Sequence, residues 1–209
     1  MKTLAEKIID ELYKFYGVPE IPLNYKNIYE LTIAVVLSAQ TTDNQVNKVT
    51  PTLFKKYNCF EKLANAKIED VEKIIKSTGF YKNKSKNIIN LAKTIVNNFN
   101  AILPEDFNVL TALPGIGRKT ANVIFNQGFK KNAIAVDTHV FRLANRLQFC
   151  NAKNVLETEN ALKEQLPEKK WGISHLLLIT HGRQFCKART PLCQNCPILN
   201  LCPYKDKCL

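Results

Sequence analysis

The chain has 209 residues, of which 45% are hydrophobic, so it is long enough to bury a core as one domain or as two small ones. Seven glycines and a single tryptophan exclude a repetitive or fibrous protein. The formal net charge of +12 indicates a polyanionic partner, although solubility alone would also account for such a surplus.

The N-terminal segment does not resemble a secretion signal, and the sequence has no candidate membrane span. Acidic residues interrupt the amphipathic segment MKTLAEKIIDELYKFYG, and no window of about 18 consecutive apolar residues occurs. Four of the seven cysteines lie between Cys186 and Cys202, which suits a metal site better than a disulfide framework. We therefore expect a cytoplasmic protein, associated with the nucleoid in a prokaryote, that has no membrane contact.

Apolar residues recur at helical spacing in nearly every segment, which predicts an all-α fold. The segment LTIAVVLSAQ, in a helix that begins near Ile28, is apolar almost all the way round and therefore predicts a helix at the centre of a bundle. Thr42 or Asp43 is expected to cap the helix that follows. The other predicted helices are Thr3–Tyr16, Ile68–Ser77, Asn83–Phe99, Asn154–Leu166 and the segment WGISHLLLITHGRQFC.

The segment LPGIGRKTANVI, from Leu113 to Ile124, predicts a tight turn that leads into a helix. Pro114 presets φ, and Gly115 and Gly117 allow positive φ and let backbone N–H groups approach an anion closely. Apolar residues on both sides predict two short helices packed across the turn: Leu110, Leu113, Ala121, Ile124 and Phe125. This arrangement is a helix-hairpin-helix, a module that binds the DNA backbone.

Basic residues follow the turn and also occupy a second loop. Arg118 and Lys119 begin the helix after the turn, where spacing alone favours contacts with phosphate. In GFYKNKSKNI, Gly79 ends a helix, and Lys82, Lys84 and Lys86 are close enough together to reach backbone phosphates. An ordinary solvated basic turn would have the same sequence.

A third motif, AVDTHVFRLANRL, places Asp137 directly before a helix defined by Val140, Leu143, Ala144 and Leu147. Capping of that helix would account for Asp137, and it would leave one carboxylate oxygen available for chemistry. A lone histidine in a helix is usually structural, so His139 is not assigned to catalysis.

The C-terminal cysteines have the spacing C-x6-C-x2-C-x5-C, with Cys186, Cys193, Cys196 and Cys202 as members. Four thiolates in so short a loop can form a tetrahedral zinc site or hold a cubane cluster. Zinc sites more often use two CxxC pairs, and this segment has one. Cys59, Cys150 and Cys208 lie outside the pattern and are interpreted as ordinary thiols.

Together, LPGIGRKTANVI, VDTHVFRLANR and the cysteine run resemble the endonuclease III family, bifunctional DNA glycosylases of the helix-hairpin-helix superfamily. The resemblance extends over nearly the whole chain. It implies a two-lobed, all-α protein with a six-helix lobe at residues 22–131 and an iron-sulfur cluster lobe made of residues 1–21 and 132–209.

The resemblance also implies roles for individual residues. Lys119 falls where the family carries its Schiff-base lysine, and Asp137 where an aspartate activates that lysine and stabilises positive charge on the sugar. Gln40, in LSAQTTD, falls where a glutamine fills the gap left by an extruded nucleotide. Phe80 stands where the family usually has a leucine that acts as a second wedge.

For the cysteine run, the resemblance implies a 4Fe-4S cluster held by the four cysteines. Lys187 and Arg189 lie inside the run, where they can present charge to the DNA backbone. The implied partner is double-stranded DNA that contains a damaged base or an abasic site, and the expected state is a monomer. The implied activity is excision of oxidised pyrimidines followed by strand cleavage. The alternatives are an adenine-mismatch glycosylase, which usually lacks the hairpin lysine, and a non-catalytic DNA-binding module.

Overall fold

The computed structural model describes residues 2–208, which form eleven α-helices joined by loops, 3-10 turns and one π-helical turn. The helices are α1 (Leu4–Tyr16), α2 (Ile28–Leu37), α3 (Asp43–Lys56), α4 (Phe60–Ala64), α5 (Ile68–Ile75), α6 (Tyr81–Phe99), α7 (Phe107–Ala112), α8 (Arg118–Val123), α9 (Thr138–Arg146), α10 (Val155–Gln165) and α11 (Trp171–Gln184). No strand occurs in the described range, so the prediction of an all-α fold is confirmed. No helix within residues 2–208 is long and apolar enough to cross a membrane.

The chain divides into two compact units, Pro22–Lys130, here called the hairpin unit, and Met1–Ile21 with Lys131–Leu209, here called the terminal unit. The division falls between Lys130 and Lys131, whereas the family resemblance implied that Lys131 ends the first lobe.

The hairpin unit is built around α2, as its all-round apolar sequence predicts. Every residue from Leu31 to Leu37 is buried, and α3, α6, α8 and the π-helical turn Ile124–Gly128 pack against it. Asn27 caps α2, and Thr42 caps α3 by accepting a hydrogen bond from the Gln45 amide.

Residues 22–130 contain seven α-helices rather than the six that the resemblance implied. The additional element is α4, which has five residues and packs against α6. Two boundaries also shift, because α5 ends at Ile75 in a 3-10 turn, Lys76–Thr78, and α6 begins at Tyr81 rather than Asn83.

The terminal unit packs the first helix of the chain with helices from its C-terminal part. Thr3 and Glu6 form a capping box at the start of α1, and α11 packs against both α1 and α9. The core of the unit consists largely of buried aliphatic side chains, including Ile8, Ile9, Leu12, Ile134, Val140, Leu143, Leu147, Leu162, Leu177, Leu178 and Ile198.

Candidate functional site

The predicted turn between α7 and α8 is present, and one of its two glycines has a positive φ that favours glycine. Gly115 has φ of 77°, and the buried Ile116 anchors the turn from inside. Gly117 has φ of −87° and ψ of 176°, so it does not use the positive φ that glycine allows. Gly117 instead has extended backbone and acts as the N-cap residue of α8, its carbonyl accepting a hydrogen bond from the Ala121 amide at 2.9 Å.

Arg118 and Lys119 are the first two residues of α8, and both are exposed. The Arg118 guanidinium lies 5.3 Å from the centre of the Phe107 ring in α7, a cation–π contact across the hairpin. The Lys119 side chain emerges among the N–H groups of the first turn of α8, which have no intrahelical partners. An accessible amine therefore lies beside backbone donors suited to an anion.

Asp137, in the terminal unit, caps α9 as its position in the sequence predicts. Its Oδ1 accepts hydrogen bonds from the amides of His139 and Val140 at 2.8 and 2.9 Å. Both capping bonds use the same oxygen, which leaves Oδ2 available for a second interaction.

His139 is the second residue of α9 and packs against Gly182 of α11. Burial lowers the pKa of its imidazole, with the nearby guanidiniums of Arg142 and Arg183 acting in the same direction against the Asp137 carboxylate. Its Nδ1 lies 3.2 Å from Nη2 of Arg142. A neutral histidine in contact with an arginine accords with the structural interpretation.

Gln40 and Phe80 lie on two exposed loops of the hairpin unit. We define the Gln40 loop as residues 38–42 and the Phe80 loop as residues 78–80. Gln40 has φ of 53° and Phe80 has φ of 46°, and 65% of the Phe80 surface is exposed. Left-handed backbone is uncommon for residues other than glycine, and it often accompanies function.

The prediction that Lys84 contacts phosphate is wrong. Lys84 is 5% exposed, and its Nζ donates hydrogen bonds to the carbonyls of Leu37 and Thr78, each at 2.9 Å, and to the hydroxyl of Thr41. The ammonium has three N–H groups, and all are used inside the protein. Lys82 and Lys86, on the same helix, are exposed and can contact a phosphate.

The four clustered cysteines line one pocket of the terminal unit. Cys186, Cys193, Cys196 and Cys202 border about 360 Å³ of empty space, part of it open to solvent. Within residues 2–208, no three His, Cys, Asp or Glu side chains converge closely enough to bind a single metal ion. Four thiols that line one pocket are the ligand type that a multi-iron cluster uses.

Hydrogen-bond donors face two of these sulfurs. Nη1 of Arg146 lies 3.5 Å from Sγ of Cys186, and Nε2 of His181 lies 3.5 Å from Sγ of Cys196. Burial raises the pKa of the Cys196 thiol to about 11 and lowers that of His181 to about 4. When the Cys196 sulfur carries no proton, the neutral imidazole must donate through Nε2 and accept from the Tyr16 hydroxyl, 3.0 Å from Nδ1.

The pocket therefore fits an anionic iron–sulfur cluster, since it offers thiol ligands together with donors that stabilise charge on sulfur. The sequence reasoning missed the two arginines of α9 that hold the loop. Arg142 donates to the carbonyls of Gly182 and Cys186, and Arg146 donates to those of Lys187 and Ala188. Their spacing of four residues on one helix face was the available signal.

Lys187 and Arg189 are exposed on the cysteine loop, where they are accessible to a polyanion. The other three cysteines are not part of the pocket. Cys59 is the N-cap residue of α4, and Cys208 is exposed.

Two family models match the chain. The model of the HhH-GPD superfamily base excision DNA repair protein matches residues 33–168, and that of the iron-sulfur binding domain of endonuclease III matches residues 186–202. The second match spans the four pocket cysteines.

Curated relatives and solved structures agree with these matches. Endonuclease III of Escherichia coli strain K12 is 44% identical over 99% of this chain and 98% of its own length. Endonuclease III of Bacillus subtilis strain 168 is 44% identical over 94% of this chain and 90% of its own. A trapped endonuclease III–DNA covalent intermediate superimposes with a TM-score of 0.90 at 43% identity, covering 97% of both chains.

Proposed function

The chain belongs to the endonuclease III family, and we propose on that basis that it is a bifunctional enzyme of base excision repair. It removes oxidised pyrimidines from duplex DNA as a DNA glycosylase and then cleaves the strand as an AP lyase. The observation that carries the proposal is the exposed Lys119 amine at the start of α8, directly after a hairpin turn that presents backbone N–H groups.

In the proposed reaction, the nitrogen of Lys119 attacks C1′ of an extruded nucleotide as the bond to the damaged base breaks. The amine loses a proton and the C1′–O4′ bond opens, with O4′ taking up a proton, so that the ring-opened sugar is joined to the lysine as an imine. Loss of a proton from C2′ and departure of the 3′ phosphate, a β-elimination, break the strand. The hairpin holds the DNA backbone while this occurs, because its N–H groups and Arg118 are placed to bind phosphate.

We propose that Asp137 serves the same reaction through Oδ2, the oxygen that the α9 cap does not use. A carboxylate placed by capping is rigid, so its negative charge can stabilise the positive charge that develops on the sugar without reorganisation. It can also accept the proton that the attacking amine must lose.

Gln40 and Phe80 are proposed to occupy the duplex beside the extruded nucleotide. A base is accessible to an enzyme only once it leaves the stack, and the vacated space must be filled to prevent re-pairing. The exposed amide of Gln40 can hydrogen-bond to an unpaired base, and the exposed ring of Phe80 can stack or wedge.

The cofactor is a 4Fe-4S cluster, with Cys186, Cys193, Cys196 and Cys202 as its proposed ligands. When bound, the cluster joins four points of one loop and so fixes the loop's shape. Lys187 and Arg189 are thereby held in place for the DNA backbone. Because the substrate is chromosomal DNA, we propose a cytoplasmic location, at the nucleoid in a prokaryote.

The proposal is tested by incubating the protein first with a duplex containing thymine glycol and then with one containing an abasic site. We expect base release and strand cleavage on the first and strand cleavage on the second. Base release without a strand break would indicate a monofunctional glycosylase of the adenine-mismatch type. Binding without either product would indicate a non-catalytic module.

A further inference from the structure

The two loops that carry Gln40 and Phe80 share an unfavourable backbone conformation. Left-handed φ is unfavourable for an ordinary L-residue, so these loops do not hold their shape by local preference alone. Phe80 is moreover a large apolar side chain that is 65% exposed. Interactions elsewhere in the hairpin unit must therefore fix the two loops.

The side chain of Lys84 supplies that interaction. Its partners are Leu37, directly before the Gln40 loop, Thr41 within it, and Thr78 at the start of the Phe80 loop. The Thr41 hydroxyl in turn donates to the Thr78 carbonyl. One ammonium therefore joins two segments that are 37 residues apart in the chain, each of which exposes one of the proposed DNA-inserting side chains.

Stability alone does not explain a buried ammonium at this position. The partners of Lys84 are two carbonyls and a hydroxyl, none of which carries a charge. Desolvation on burial lowers the pKa of its amine, which reflects the cost of keeping a cation at this position. A methionine would fill similar space without that cost.

We propose that Lys84 is a positioning residue that holds the Gln40 and Phe80 loops at a fixed separation, so that both side chains enter the duplex together around one extruded nucleotide. Lys84 acts through these loops and does not itself touch DNA. The inference rests on the proposed function, because it assigns Lys84 to the step in which the enzyme keeps a nucleotide out of the stack.

The first test uses Lys84→Met in the full-length protein with its cluster loaded. Excision of thymine glycol from a duplex should fall about tenfold or more, the size expected when a coupled network is broken. Cleavage of an abasic site in single-stranded DNA should stay within about twofold, since no partner base competes for the vacated space. Equal losses on both substrates would overturn the proposal, and so would no loss on either.

The second test combines Lys84→Met with Gln40→Ala and Phe80→Ala in a mutant cycle. If Lys84 acts through the two loops, its replacement should have no further effect on duplex excision once both inserting side chains are gone. If Lys84→Met reduces duplex excision by the same factor with and without the two inserting side chains, Lys84 acts through general stability or through its own contact with DNA. That result would overturn the proposal.

Lys82→Met is the matched control, because Lys82 is an exposed lysine near the start of the same helix. It should reduce the salt dependence of binding to undamaged duplex, whereas Lys84→Met should leave that dependence unchanged. A reduction with Lys84→Met equal to that with Lys82→Met would mean a direct phosphate contact.

If Lys84→Met does not fold, Thr41→Val removes the bridging hydroxyl at nearly constant volume and takes its place in the same cycle. Thr41→Val should slow duplex excision in the unmodified protein but have no further effect once Gln40→Ala and Phe80→Ala are present. An equal effect in both proteins would overturn the proposal. Inactivity of the unmodified protein on every substrate would instead contradict the proposed function, so the two failures are distinguishable.

Discussion

Asp137 shows how a single side chain can be both a structural cap and a candidate for chemistry. The two α9 amides bond to Oδ1, and the proposed reaction uses Oδ2. The two purposes therefore do not compete for the same atom. This division also makes them separable by mutation, because asparagine keeps a carbonyl oxygen for the cap and loses the charge.

We predict that Asp137→Asn slows base excision by about a hundredfold or more, since it removes charge stabilisation from the reacting centre. Its free energy of unfolding should fall by less than about 1 kcal/mol, because asparagine is as good a cap as aspartate. Single-turnover excision and thermal unfolding measure the two effects.

Asp106→Asn is the matched control, because Asp106 caps α7 by the same kind of bond, to the Val109 amide at 2.9 Å. It should change stability as little as Asp137→Asn does and leave excision near the unmodified rate. Equal excision rates for the two variants would remove Asp137 from the reaction.

In the hairpin turn, the residue needed for folding and the residue proposed to approach DNA are different glycines. A Cβ at Gly115 would lie 3.1 Å from Cβ of Asn87 and 3.2 Å from Cγ1 of Val36, at a φ that favours glycine. A Cβ at Gly117 would meet nothing within 4 Å. The same substitution therefore has different consequences two residues apart.

We predict that Gly115→Ala lowers the free energy of unfolding by about 2 kcal/mol, from backbone strain together with crowding. Gly117→Ala should change it by less than about 0.5 kcal/mol. The second variant should nevertheless bind duplex DNA more weakly, because the added methyl group lies on the exposed turn that is proposed to approach phosphate. Thermal unfolding and duplex binding, measured on both proteins, distinguish the effects, and normal binding by Gly117→Ala would place the DNA elsewhere.

A helix is predictable from the sequence when its cap and its apolar face lie close together in the chain. Helix α9 was predictable because its cap and its apolar face lie within eleven consecutive residues, Asp137 to Leu147. Helix α4 was not, since five residues are too few to show a helical period. The conformation of Gly117 could not be predicted either, because glycine permits both positive and negative φ.

In the candidate site, Arg118 and Lys119 are exposed as expected, because they directly follow a turn. Lys84 is the opposite case, because its burial depends on the meeting of the Gln40 and Phe80 loops, which are far apart in sequence. Nothing in GFYKNKSKNI distinguishes it from the exposed Lys82 and Lys86. Arg142 and Arg146 were missed for the same reason, since their acceptors lie some forty residues away on the cysteine loop.

At the scale of the whole molecule, the surplus of positive charge should govern non-specific binding. With a formal net charge of +12, binding to undamaged duplex should weaken steeply with salt, as counterions are released from several phosphates. Lys187→Gln should reduce the slope of log Kobs against log[salt] by about one if this residue contacts a phosphate. A slope near zero for the unmodified protein would mean that its charge does not face DNA.

The cluster is also expected to stabilise the terminal unit, because metal binding is coupled to folding. The purified protein should be yellow-brown and contain about four irons per chain. Cys196→Ser should reduce the iron content, whereas Cys208→Ser, at an exposed cysteine outside the pocket, should leave it unchanged. Stoichiometric zinc without iron after anaerobic purification would contradict this prediction.

The measurement that tests the central claim most directly is borohydride trapping during turnover on a thymine glycol duplex. Reduction of the imine should leave the unmodified protein covalently joined to DNA. Lys119→Gln should abolish both trapping and strand cleavage while it still binds the lesion, because the backbone N–H groups of the hairpin are unchanged. Lys82→Gln, at another exposed lysine of the same unit, should trap normally. Efficient trapping by Lys119→Gln would show that a different amine is the nucleophile and would contradict the assignment of the site.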